Sequence, residues 1–176
     1  MNIISIDPSK KRTGIITRID KKIMSMSIEH TKKQTQSEAL VNIFNKFQTV
    51  LNDTKFDMGL IEGYWLVNPR GMTHEPEIVG VIKLVFALHE VPLIVIPIQT
   101  WKSIIGIKID KKKKPGEYFA AIKKKYGKEF SVVDEADAFL IYKVAEYIVH
   151  NTQVMSKAAM KVRNKIKEVI ENLHKS

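Results

Sequence analysis

Two short apolar runs, IISI and MGLI, each lead straight into a carboxylate, Asp7 and Glu62. A buried carboxylate without a partner is costly, so a chain that ends two strands this way must supply each with a cation or a hydrogen-bond donor. Glu62 is the harder of the two to treat as a turn residue, because it stands between Leu60-Ile61 and Gly63 inside an apolar strand. These two placements constrain the fold before any other feature does.

The first third of the chain reads as short β-type runs, IISI, TGIITRI and KIMSMSIEH, separated by turn-forming Ser, Lys and Asp. It predicts a three-stranded meander whose first strand ends at Asp7. Thr35-Gln36-Ser37-Glu38 has the spacing of a capping box, and Ala39, Leu40, Ile43, Phe44, Phe47 and Leu51 follow at helical spacing. A helix over 36–53 therefore leads to a fourth strand at 58–63. YWLVNPRGMTHEP reads as a loop, with Pro69, Gly71 and Pro76 as breakers. Ile78–Leu88 predicts a second helix, and VPLIVIPI a fifth strand buried on both faces.

A short turn over Gln99–Ile105 is expected next, then a helix opened by Pro115. VVDEADAFLIYKVAEYIV predicts a helix with Ala138, Ile141, Tyr142, Ala145 and Ile148 on its apolar face. One domain over 1–150 is expected, with 151–176 a basic amphipathic helix carrying Met155, Ala159, Val162, Ile166, Val169 and Leu173 as its stripe. That stripe could cap the domain, pair with a second subunit or leave its polar face for nucleic acid; packing is the commonest use.

Charge is unevenly spread. The chain carries +10 overall, of which residues 102–128 hold +8, while 129–150 sum to −4. A basic stripe beside an acidic segment suits a polyanion-binding face next to a site that takes cations, although lysine-rich solvated surfaces are common. The absence of cysteine excludes disulfides and thiolate metal sites. No secretory signal pattern is evident, and the longest apolar stretch falls well short of the ~20 residues of a membrane span, so a soluble, cytoplasmic protein is expected.

Asp134 and Asp137, three apart at the start of the late helix, project toward one side. With the fourth strand beside the first, Asp7 and Glu62 emerge as neighbours. Taken singly, Asp7 could be a turn residue before Pro8, and Asp134 or Asp137 could serve helix capping and the helix dipole. Together, four convergent carboxylates would repel unless a hard cation such as Mg²⁺ or Mn²⁺ neutralised them. A metal-dependent nuclease is the expectation.

These residues carry a family resemblance. IISIDPSKKRTGI is similar to the I-x-G-I-D-P-G-x-x-x-T-G opening of the RuvC-like Holliday junction resolvases of the RNase H-like superfamily, with Ser9 in place of the usual Gly. MGLIEGYW resembles that family's second acidic strand, and VVDEADAFLIYKVA its D-x-x-D-A helix. The likeness spans roughly residues 1–150 in order, and low similarity outside the motifs looks like a viral or phage branch, active in the host cytoplasm.

The resemblance implies an α/β fold, an RNase H-like mixed five-stranded sheet flanked by helices, acting as a homodimer on branched DNA, the four-way junction. It implies Asp7, Glu62, Asp134 and Asp137 as ligands of two Mg²⁺ ions, with Mn²⁺ as a substitute, and Lys102 and Lys114 as catalytic cations facing the scissile strand. Tyr64 and Trp65 would stack at the junction centre, while Arg70 and Lys111, Lys112 and Lys113 would contact DNA. Alternatives keep the fold and move the substrate to forks, flaps or RNA–DNA hybrids, or keep only non-catalytic binding of branched DNA. An ATPase of the actin and Hsp70 type is disfavoured, because it needs a duplicated core and glycine-rich phosphate loops, and this chain has only eight Gly.

Overall fold

The computed structural model describes residues 1–9, 11–30, 34–63, 74–107, 110, 113–151 and 156–175. Three antiparallel strands open the chain, β1 (Ile3–Asp7), β2 (Arg12–Ile19) and β3 (Lys22–Glu29). The β2–β3 hairpin turns on Asp20 and Lys21, both at positive φ, the pairing a two-residue type I′ connection needs. Thr35 then caps α1 (Gln36–Asp53) through the expected reciprocal box with Glu38.

α1 returns the chain to β4 (Met58–Gly63), which pairs parallel with β1. α2 (His74–Leu88) leads to β5 (Leu93–Pro97), parallel to β4. The sheet order is β3-β2-β1-β4-β5, which sets the two carboxylate-bearing strands side by side at its centre. Four further helices follow: α3 (Ile98–Ile105), α4 (Pro115–Tyr126), α5 (Val133–His150) and α6 (Lys157–Leu173).

Helices cover both faces of this sheet. On one face Ile4, Ile6, Ile15 and Ile61 meet Ile43, Phe47 and Leu51 of α1 and Ile82 and Phe86 of α2. On the other, Ile3, Ile16, Met58, Leu60, Ile94 and Ile96 share a core with Trp101, Tyr118, Ile122 and most of α5. Val162 and Ile166 of α6 are buried in that second core, and α6 also lies against β5. Among the described residues no helix is long and apolar enough to cross a membrane.

Three sequence expectations change. α2 begins at His74, four residues earlier than expected, because Pro76 sits in its first turn, where a missing N–H breaks no helical bond. β5 alternates buried and half-buried residues instead of being buried on both faces, because it is an edge strand. The segment expected as a turn over Gln99–Ile105 is helix α3, ended by Gly106 in the left-handed conformation that its lack of a Cβ permits. In addition, α5 buries Phe139, Leu140 and Val144 beyond the expected stripe, since it lies between the sheet and the outer helices.

Candidate active site

The strand register aligns the first two carboxylates. Ile6 pairs with Ile61, so Asp7 and Glu62 stand one step further along the same two strands. Side chains alternate across a sheet: Ile6 and Ile61 face α1 and α2, while Ile3, Met58 and Leu60 face α5. Asp7 and Glu62 are therefore on the α5 face, Asp7 buried and Glu62 half-buried.

α5 is brought down onto them by small residues. Asp7 pairs with Gly14 across the β1–β2 ladder, and a Cβ on Gly14 would collide with the backbone carbonyl of Asp134. Only glycine lets the first turn of α5 approach β2 so closely. One turn on, the buried Ser5 hydroxyl donates to the carbonyl of Ala138 at 2.8 Å, fixing the helix along β1. Val132 is the N-cap and provides no side-chain bond, so neither Asp134 nor Asp137 is spent on capping. Asp134 does lie in the first helical turn, where the dipole favours its charge.

Two ring donors complete the site. The Tyr118 hydroxyl, from α4, donates to Asp137 Oδ1 in the buried core. Trp101 Nε1, from α3, donates to Glu62 Oε2 at 2.8 Å. Burial raises the Tyr118 phenol far above its ordinary range, and the charges of Asp7 and then Glu62 push it further in the same direction. Of the carboxylates, Asp137 is the one bonded to this hydroxyl, while Asp7 and Glu62 act on it through their charge. Asp134 acts on His30: burial lowers that imidazole below its usual value, and the Asp134 charge partly opposes the shift. His30 Nε2 lies 3.1 Å from the Thr13 hydroxyl.

All four donors are carboxylates, which suit a hard divalent cation. Among the described residues no three acidic or histidine side chains form a ready-made metal cage. Glu62 accepts one bond from Trp101 and Asp137 one from Tyr118. The set fits such an ion in donor chemistry and in its gathering at one end of the sheet.

The described lysines border this region. Lys102 follows Trp101 on α3 and holds its ammonium 5.5 Å from that indole's centre. Lys114 is the N-cap of α4, and its carbonyl accepts the Tyr118 N–H at 3.1 Å, so it stands one turn from the hydroxyl-bearing residue. Its ammonium pairs with Glu117 at 2.8 Å on the exposed surface. Lys113 is also exposed. Tyr64, Trp65, Arg70, Lys111 and Lys112 lie outside the described residues.

The sequence reading missed four residues: Gly14, His30, Trp101 and Tyr118. Trp101 fell in a segment read as a turn, and Tyr118 lies one helical turn beyond Lys114, a spacing that could have flagged it.

No protein-family model and no curated protein sequence matches this chain. Solved structures do. RuvC from Thermus thermophilus in complex with a Holliday junction substrate is 14% identical, covering 80% of this chain and 89% of that one with a TM-score of 0.64. A second Thermus thermophilus RuvC structure is also 14% identical, covering 80% and 90% at a TM-score of 0.61. The yeast mitochondrial Holliday junction resolvase Ydc2 superposes at a TM-score of 0.47, with 14% identity over 94% and 80% of the two chains, a likeness too loose to weigh. The two stronger matches are to a bacterial protein and lend no support to a viral branch. Among the described residues, the mixed five-stranded sheet with its six flanking helices is a RuvC-like, RNase H-like fold.

Proposed function

We propose that this chain is a metal-dependent endonuclease that resolves four-way DNA junctions, working as a homodimer to make paired nicks. The observation that carries the reading is the register that sets Asp7 and Glu62 side by side on adjacent strands, with the first turn of α5, which carries Asp134 and Asp137, seated against β2 at Gly14. The fold supports it, since the RuvC of similar structure is bound to a Holliday junction.

Asp7, Glu62, Asp134 and Asp137 would hold two Mg²⁺ or Mn²⁺ ions, which would supply water activation and charge stabilisation for phosphodiester hydrolysis. The remaining work belongs to the chain's own side chains. Lys102 and Lys114 hold the scissile phosphate and offset its charge. Lys111, Lys112 and Lys113 extend the basic face along the backbone, so affinity falls steeply with salt. Tyr64 and Trp65 stack on bases exposed at the branch point, and Arg70 takes a neighbouring phosphate.

The test is cleavage of a labelled four-way junction beside linear duplex, fork and RNA–DNA hybrid, in Mg²⁺ or EDTA, by the parent chain and Asp7→Asn. Paired nicks on the junction that need metal and vanish in Asp7→Asn, with binding retained, are expected. Preferential cutting of fork or hybrid would overturn the substrate assignment while keeping the site. Binding with no metal-dependent cleavage would sink the enzymatic reading.

A further inference from the structure

Trp101 and Tyr118 belong to neither the strands nor the helix that carry the carboxylates; they reach in from α3 and α4. Both rings are buried in the core under α5, and each turns its single polar atom onto one carboxylate of the set. A packed aromatic ring has two side-chain torsions, both fixed by its neighbours, so the position of its polar atom is fixed as well. A carboxylate meeting such a donor is held in one rotamer.

We infer that Trp101 and Tyr118 are the positioning residues of this site, holding Glu62 and Asp137 in the orientation from which they bind a divalent cation; the inference rests on the metal-dependent reading proposed above. They touch the carboxylates and not the substrate. The arrangement explains why α3 and α4 pack beneath the acidic end of the sheet: each delivers one donor to one ligand. Tyr142 offers an internal comparison, because its side chain packs in the same core and its part-buried hydroxyl bonds Glu146 on the same helix, outside the acidic set.

The experiment is calorimetric titration of the full chain with MnCl₂ and with MgCl₂, for the parent, Tyr118→Phe, Trp101→Phe and Tyr142→Phe, with melting curves recorded in EDTA. Loss of an orienting partner behind a metal ligand weakens metal affinity by about 10–100-fold. That loss is expected for Tyr118→Phe and Trp101→Phe, while Tyr142→Phe keeps parental affinity although it too loses a tyrosine–carboxylate hydrogen bond. Melting curves separate the two effects, since stability falls in both tyrosine variants and affinity in only one. Should Tyr118→Phe fold poorly, Trp101→Phe carries the same test. Parental affinity in both site variants would overturn the inference. A parent that binds neither ion would instead overturn the metal-dependent reading, and the positioning role with it.

Discussion

A methyl group added at Gly14 would land on the carbonyl of Asp134 and the amide nitrogen of Glu135. Backbone atoms have no rotamer by which to step aside. Ordinary contact begins at 3.4 Å, so Gly14→Ala obliges β2 and the first turn of α5 to part by roughly 1 Å. Overpacking of this kind costs about 1–3 kcal/mol, and the tight Ser5–Ala138 bond nearby resists the movement. For a chain of this length that is a fall in Tm of roughly 2–12 °C. The same displacement carries Asp134 and Asp137 away from Asp7, and a misplacement of about 1 Å at a reacting centre reduces rate by about 100-fold.

Gly14→Ala should therefore remain folded at 25 °C while losing most of the proposed junction cleavage. Gly80→Ala is the matched control. Gly80 lies within α2, and a Cβ there meets nothing within 4 Å, so alanine should add about 1 kcal/mol of stability and leave cleavage unchanged. The pair is read by thermal melting and by the initial rate of junction nicking. Parental melting and parental cleavage in Gly14→Ala would refute the reasoning, because α5 could then not be seated against β2.

Two further expectations concern stability. Ile166 is buried where α6 meets the core, so Ile166→Ala should cost about 2–5 kcal/mol in denaturant unfolding, whereas a helix merely resting on the surface would lose almost nothing. Burial holds the His30 imidazole below its ordinary value, so the folded chain takes up a proton less readily than the unfolded one. The associated stability is fully present above the unfolded value and declines as pH falls below it toward the lower folded value; Tm should drop over that window, and His30→Gln should flatten the drop.

What the sequence disclosed were features written in local pattern. Asp7 and Glu62 stand out because a carboxylate interrupts an apolar run, and the Thr35–Glu38 box announces α1 in four letters. Asp134 and Asp137 are visible through helical spacing. The supporting residues were hidden because their roles depend on which elements meet. Nothing local marks Tyr118 or Trp101, whose rings belong to the core apart from the one atom each presents to a carboxylate. Gly14 shows only as part of a Thr-Gly pair; that it receives the backbone of α5 is a property of the packed sheet. β5 misled for the opposite reason, since an apolar run does not reveal that its strand lies at the edge.

The Ser5–Ala138 contact joins residues 133 positions apart in the chain, and the Gly14–Asp134 approach beside it spans nearly as far. Bringing such distant segments together requires loop closure that only the nearly completed fold compensates. During synthesis the meander, with Asp7, and β4, with Glu62, emerge long before α5 exists. A nascent or partly folded chain thus carries two of the four carboxylates in place and no means of assembling the rest. In the proposed reading, DNA-cutting capacity switches on only when α5 docks, so native folding itself guards against premature strand breakage.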